Sequence, residues 1–172
     1  MIERIKHSGF PLPPRGWPLV ALLAVFILAG LIGHDPWKSD DAITIGVVSD
    51  MLQRGHWLAP HLADRPYPDA PLYYWTAAIT GFAFSWLLPL HDAIRLASGF
   101  WVALTLFLLY RAGREWHGKE EAPHEFAIAS VLAMAGCLGF LVHAHEAQPM
   151  LVALAGHAAA YWALALLDRK PL

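Results

Sequence analysis

WPLVALLAVFILAGLIG, residues 17–33, carries no charged side chain over 17 residues. A bilayer core about 30 Å thick needs roughly 20 helical residues to cross it, so this run reads as a membrane span. Three similar runs follow. Residues 96–110 form a 15-residue run between Arg95 and Arg111, 126–142 supply 17 residues, and 150–167 supply 18 broken only by His157. The shortest run can gain length because its flanking arginines can snorkel to the two interfaces. Composition agrees with this reading. The chain of 172 residues is 57% hydrophobic and 15% charged, with a mean hydropathy of +0.42, whereas soluble domains carry roughly 25% charged residues. The expected fold is an all-α integral membrane protein of about four transmembrane helices, with interfacial helices in a long first outer loop.

A fifth uncharged run, residues 70–90, contains Pro71 and Pro89 together with Thr76, Thr80 and Ser85. Charge placement decides how it is read. Cytoplasmic loops collect Lys and Arg, and Arg4, Lys6 and Arg15 precede the first span. If 70–90 stays on the outer face, Arg111, Arg114 and Lys119, and later Arg169 and Lys170, all fall inside with the N-terminus. Counting 70–90 as a crossing would put the first three of these outside. The expected organisation is therefore one membrane domain. It has a cytoplasmic tail at 1–16, spans at 17–33, 95–112, 124–142 and 149–167, and an outer loop at 34–94, in the inner (plasma) membrane. The first span lacks an Ala-x-Ala cleavage signal and reads as an uncleaved anchor. No basic stripe with interleaved aromatics suggests nucleic acid. Cys137 is the single cysteine, which excludes a disulfide framework. Small residues at Ala129, Ala133, Gly136 and Gly156 suit close packing of the third and fourth spans.

The outer loop is long, and long loops in compact proteins are usually functional. Residues 40–54 read as a helix with Ser39 as N-cap, Asp40 and Asp41 in its first turn, and Gly55 ending it. Taken alone, the two acids fit simple capping, and the aromatics at 67–75 fit an interfacial belt. His143, His145 and Glu146 in the short outer turn could contribute to a metal site, although neighbouring positions i and i+2 without a third ligand are a weak signal. His157 reads as a hydrogen-bonded packing residue within its span.

The order of elements is more specific. Asp-Asp at 40–41, Arg-Gly-His-Trp-Leu-Ala-Pro at 54–60 and Arg-Pro-Tyr-Pro-Asp-Ala-Pro-Leu-Tyr-Tyr-Trp at 65–75 resemble the first outer loop of C-type (GT-C) glycosyltransferases. The resemblance is to the branch that holds the lipid A aminoarabinose transferase and the protein O-mannosyltransferases. Arg95 in Ala-Ile-Arg-Leu-Ala-Ser and Gln148-Pro-Met resemble motifs at the family's following spans. The likeness runs from about Trp17 to Leu167. It implies a polyprenyl-phosphate-sugar donor and a lipid or protein acceptor hydroxyl on the outer face, with membrane lipids around the protein and no nucleic acid.

Further roles follow from the resemblance. Asp40 takes the place of the general base. Asp41, Arg65, Tyr67, Asp69, Tyr74, Trp75 and Gln148 fall where donor-binding residues are expected. A divalent metal would draw on Asp69, His143 and His145. The chain departs from the family pattern at Ala70, where the family has a lysine, at Gln148, where it has an aspartate, and at Ile43, where it has an arginine. It is also short, which implies the N-terminal part of a larger enzyme that needs its C-terminal portion or a partner subunit. The alternative is a non-catalytic module that binds lipid phosphate.

Overall fold

A computed structural model describes residues 16–119 and 122–169. Arg4, Lys6, Arg15 and Lys170, on which the expected orientation partly rests, lie outside the described residues. Among the described residues, seven helices appear in order: α1 (Trp17–Leu28), α2 (Ser39–Arg54), α3 (Leu72–Phe84), α4 (Leu90–Trp116), α5 (Pro123–Ala135), α6 (Leu138–His143) and α7 (Met150–Arg169). A hairpin, β1 (His61–Leu62) with β2 (Arg65–Pro66), separates α2 from α3.

Among the described residues, two helices are long and apolar enough to cross a bilayer, Leu90–Trp116 and Met150–Asp168. At 1.5 Å per residue, the 27 residues of α4 reach well beyond a hydrocarbon core. The other expected spans are shorter. α1 holds only 12 residues, because the chain turns at Gly30 and Gly33 with φ of 95° and 92°. The run at 124–142 is broken, since Cys137 adopts an extended ψ of 119° between α5 and α6. α3 has 13 residues, too few to cross. It leaves Ile79 and Phe82 exposed, as are Trp86 and Leu87 in the turn beyond it.

α4 is the central element. It packs on α3, α5 and α7, and it starts five residues before the expected boundary because Pro89 caps it and Asp92 occupies its first turn. Arg95 therefore lies inside the helix and is fully buried. The expectation that it snorkels to an interface is corrected. One core cluster joins Val47, Val48 and Met51 of α2 to Tyr73, Tyr74, Ala77 and Ala78 of α3 and to Ile94 and Ala97 of α4. A second joins Val102 and Leu106 of α4 to Val131, Phe140 and Leu151.

α2 ends as expected, with Gly55 in the left-handed region at φ 77°. Its start differs from the expectation: Lys38 is the capping residue and makes no side-chain cap bond, and Ser39 is already helical. The hairpin is tied to the far end of α2, where Arg54 pairs with Asp50 and Asp64. His56 Nδ1 lies 2.7 Å from Asp50 Oδ2, and that bond holds the Asp50 carboxyl below its ordinary range.

Close packing of α4 on α5 depends on Gly113, where a Cβ would stand 2.9 Å from the Ala127 Cα. Backbone cannot yield as a side chain can. Gly113→Ala is expected to destabilise the fold by about 1–3 kcal/mol through overpacking, seen as a lower thermal midpoint of the purified protein.

Candidate functional site

The site is assembled at the end of the bundle where α2, α3, α4 and α7 begin. Asp40 and Thr44, one helical turn apart on α2, form one wall of a cleft of about 470 Å³. Tyr67, Asp69, Ala70 and Tyr73 form a second wall. Gln148 and Pro149 lead into α7, whose Met150 and Ala153 complete it. The cleft thus unites Asp40, Tyr67, Asp69 and Gln148 from segments far apart in sequence. The two departures at Ala70 and Gln148 also line it. As a result two carboxylates face this space, and none of its lining residues is Lys, Arg or His.

Asp69 is set by the segment that follows the hairpin. Its Oδ2 accepts a 2.9 Å hydrogen bond from the Tyr74 hydroxyl. Burial and the Asp69 charge push the Tyr74 phenol well above its ordinary range, so it stays a protonated donor at physiological pH. Tyr67 meets Tyr74 edge to face at 6.4 Å. Trp75 is a staple rather than a lining residue, since its Nε1 donates to the Trp57 carbonyl at 2.6 Å.

Asp41 is not in the cleft. Successive helical side chains diverge by about 100°, and Asp41 turns into the core at 1% exposure. There Arg95 donates to both of its oxygens, from Nη2 at 2.6 Å and Nε at 3.3 Å. Asp41 Oδ1 also accepts the Ala147 backbone N–H at 2.7 Å. The Arg95 Nη1 reaches Asp92 Oδ1 at 3.1 Å and the His34 carbonyl at 2.7 Å, while Asp92 Oδ2 takes the Gly33 N–H at 3.0 Å. The Arg95 guanidinium thus joins the loop after α1, the start of α2 and the start of α4, and Asp41 extends the clamp to the turn before α7. The geometry makes Asp41 part of a buried clamp and corrects its expected contact with donor.

A second set of contacts ties the same turn to the site. Ser98 donates to the Glu146 carbonyl at 2.5 Å, and Tyr73 donates to Ser98 at 2.6 Å. Glu146 itself is nearly buried and pairs with Lys38.

The expected metal ligands are not brought together. His145 Nε2 donates to the Phe26 carbonyl at 2.6 Å and its ring packs against Gly30. His143 lines a different groove, of about 440 Å³, with Phe140, Leu154 and His157. Among the described residues, no group of three His, Cys, Asp or Glu side chains is placed to hold an ion. This donor set does not fit the implied metal. Arg65 is exposed on the hairpin and does not line the cleft. His157 Nδ1 lies 2.7 Å from the Ala153 carbonyl, but its side chain is exposed rather than packed. The second groove is almost wholly apolar and shares Met150 and Ala153 with the cleft.

Sequence reading missed Asp92 and Lys38, and it read Glu146 only as a candidate beside a metal site. The i, i+3 spacing of Asp92 and Arg95 was the available signal for the first of these.

The chain is 34% identical over 107 residues to an undecaprenyl phosphate-alpha-4-amino-4-deoxy-L-arabinose arabinosyl transferase of Photorhabdus laumondii, covering 60% of this chain and 19% of that protein. The likeness is to a sugar transferase. A protein of the same description from Pectobacterium carotovorum is 34% identical over 94 residues, 54% of this chain and 16% of the relative. One from Serratia proteamaculans is 27% identical over 139 residues, 77% of this chain and 24% of the relative. The chain thus spans at most about a quarter of the length of these relatives. No family model matches, and no solved structure matches.

Proposed function

We propose that the chain forms the base-bearing part of a membrane glycosyltransferase that takes a sugar from a polyprenyl-phosphate carrier and passes it to a hydroxyl group. The observation that carries this reading is the union of Asp40, Asp69 and Gln148 in one cleft that adjoins an apolar groove across Met150 and Ala153. An amphiphile with a polar head and a long hydrocarbon tail matches such a pair of spaces. The named relatives act on an undecaprenyl-phosphate sugar, which supports that donor class here.

Asp40 acts as general base. It removes the proton from the acceptor hydroxyl as the acceptor oxygen bonds to the sugar's anomeric carbon. The bond from that carbon to the phosphate oxygen breaks, and polyprenyl phosphate leaves with the electron pair. Asp40 is exposed to the cleft rather than paired with a cation, as a base must be to meet its substrate. Asp69, held by Tyr74, fixes the sugar. Two carboxylates without a lining cation also suit a sugar that bears an amine, because opposite charges about 4 Å apart attract by roughly 4 kcal/mol near a protein surface.

In this reading the protein sits in the inner membrane with its N-terminus cytoplasmic and the cleft on the outer face. The acceptor is a lipid or a protein, as in the lipid A transferases and protein O-mannosyltransferases that the loop resembles.

Transfer of labelled sugar from an undecaprenyl-phosphate donor, in membranes carrying the chain, tests this function. Donor-dependent labelling of an acceptor supports it. Binding of the lipid phosphate without transfer favours the second reading, a lipid-phosphate-binding module, which Ala70 and Gln148 in the cleft support. Tyr74→Phe removes the hydrogen bond that orients Asp69, and a lost neutral-to-charged bond is worth about 1.5–3 kcal/mol at most. The expected outcome is a several-fold weaker apparent donor affinity with unchanged helix content by circular dichroism.

A further inference from the structure

The cleft poses an electrostatic problem for its proposed ligand. A phosphate entering beside Asp40 and Asp69 meets no cation among the lining residues. Among the described residues, Lys38 is a cation tethered to a neighbour of a lining residue, since its partner Glu146 lies 3.4 Å from the Gln148 amide. It stands two residues before Asp40 and pairs with Glu146, two residues before Gln148. Lys38 is thus fastened to two of the three segments that bring polar groups into the cleft. Arg65, the other candidate, is exposed on the hairpin, and no ion pair orients it among the described residues.

The pairing is unequal. The Glu146 side chain is 6% exposed, whereas that of Lys38 is 26% exposed and packs over the Trp37 ring at 4.8 Å. Glu146 has further neighbours that remain if the lysine departs. The Gln148 amide lies 3.4 Å from its Oε2, and His143 Nδ1, a buried nitrogen without a hydrogen-bond partner, faces the same oxygen at 3.7 Å. Lysine is a point charge on a flexible stem and can swing between acceptors.

We infer that Lys38 is the phosphate-binding cation of this chain, held in reserve by Glu146 and transferred to the lipid-linked phosphate when the cleft fills. This rests on the proposed donor class and assigns the donor contact that Ala70 cannot make. Gln148 and His143 hold Glu146 in place after the exchange, so the turn before α7 does not collapse.

Binding of undecaprenyl phosphate and of undecaprenol, measured for the full chain in lipid nanodiscs, tests the exchange. Lys38→Met should weaken binding of the phosphate roughly tenfold or more, the loss of a charge-assisted contact, and leave undecaprenol unchanged. Lys38→Arg should retain most of the affinity. Glu146→Gln, which removes the competing anion, should bind the phosphate more tightly than wild type. Wild-type affinity in Lys38→Met, equal loss of both lipids in that variant, or no tightening in Glu146→Gln would overturn the inference while leaving the donor class intact. Failure of the wild-type chain to bind undecaprenyl phosphate would overturn the proposed donor class itself.

Discussion

Replacing Asp40 by Asn lowers sugar transfer by roughly 10²–10⁴-fold, the range that a positioned general base contributes, and leaves the fold intact. The side chain projects into the cleft and belongs to neither buried cluster, so an isosteric amide disturbs no packing. It removes the proton acceptor alone. Asp41→Asn is the internal control, because that carboxylate accepts three hydrogen bonds, two from Arg95 and one from the Ala147 amide. Its amide replacement puts an N–H₂ against a donor and is expected to lower thermal stability first and activity as a consequence. Comparing the two neighbours by transfer rate and thermal midpoint separates chemistry from architecture. Equal activity loss at equal stability loss would contradict the separation.

Replacing Arg95 by Leu is expected to cost about 3–5 kcal/mol, the penalty for breaking a buried ion pair from one side. Asp41 and Asp92 would then remain in the core, at 1% and 2% exposure, without their cation. His91 is the remaining basic group near Asp92, at 3.6 Å, and it does not reach Asp41 in the structure. The loss is expected to appear as a large drop in the thermal midpoint and poor recovery of folded protein. Restoring neutrality with Asp41→Asn and Asp92→Asn in the Arg95→Leu background should recover part of it. A single Arg95→Leu variant as stable as wild type would show that the clamp does not hold the four segments together.

Much of the scaffold was legible because it depends on local chemistry. Uncharged runs marked α4 and α7, and Gly55 marked the end of α2. Two helices end earlier than their apolar runs suggest. Residues 17–33 and 126–142 carry no Asp, Glu, Lys or Arg, yet the backbone turns at Gly30 and breaks at Cys137. Hydropathy records what a segment can bury and says little about where a helix must stop.

The cleft was legible in part. Asp40, Tyr67, Asp69 and Gln148 came from a resemblance in the order of motifs, and the fold gathers all four. Which of Asp40 and Asp41 faces the cleft was not readable, because adjacent acids in a first turn look alike until a buried partner is known. That partner, Arg95, lies 54 residues away from Asp41. The His143 and His145 reading failed for a similar reason, since His145 is committed to the Phe26 carbonyl, 119 residues earlier in sequence. Long-range hydrogen bonds decide such roles, and sequence spacing does not encode them.

The central claim is that the cleft of Asp40, Asp69 and Gln148 receives a polyprenyl-phosphate sugar. Photolabelling of the full chain in nanodiscs with a photoreactive undecaprenyl-phosphate-sugar analogue, followed by peptide mapping, tests it directly. The account predicts label within residues 67–73 and 148–154, reduced by excess unlabelled undecaprenyl phosphate. Label confined to the groove lined by Leu19, Leu23 and Phe107 between α1, α4 and α5, or label that the unlabelled lipid does not displace, would contradict it.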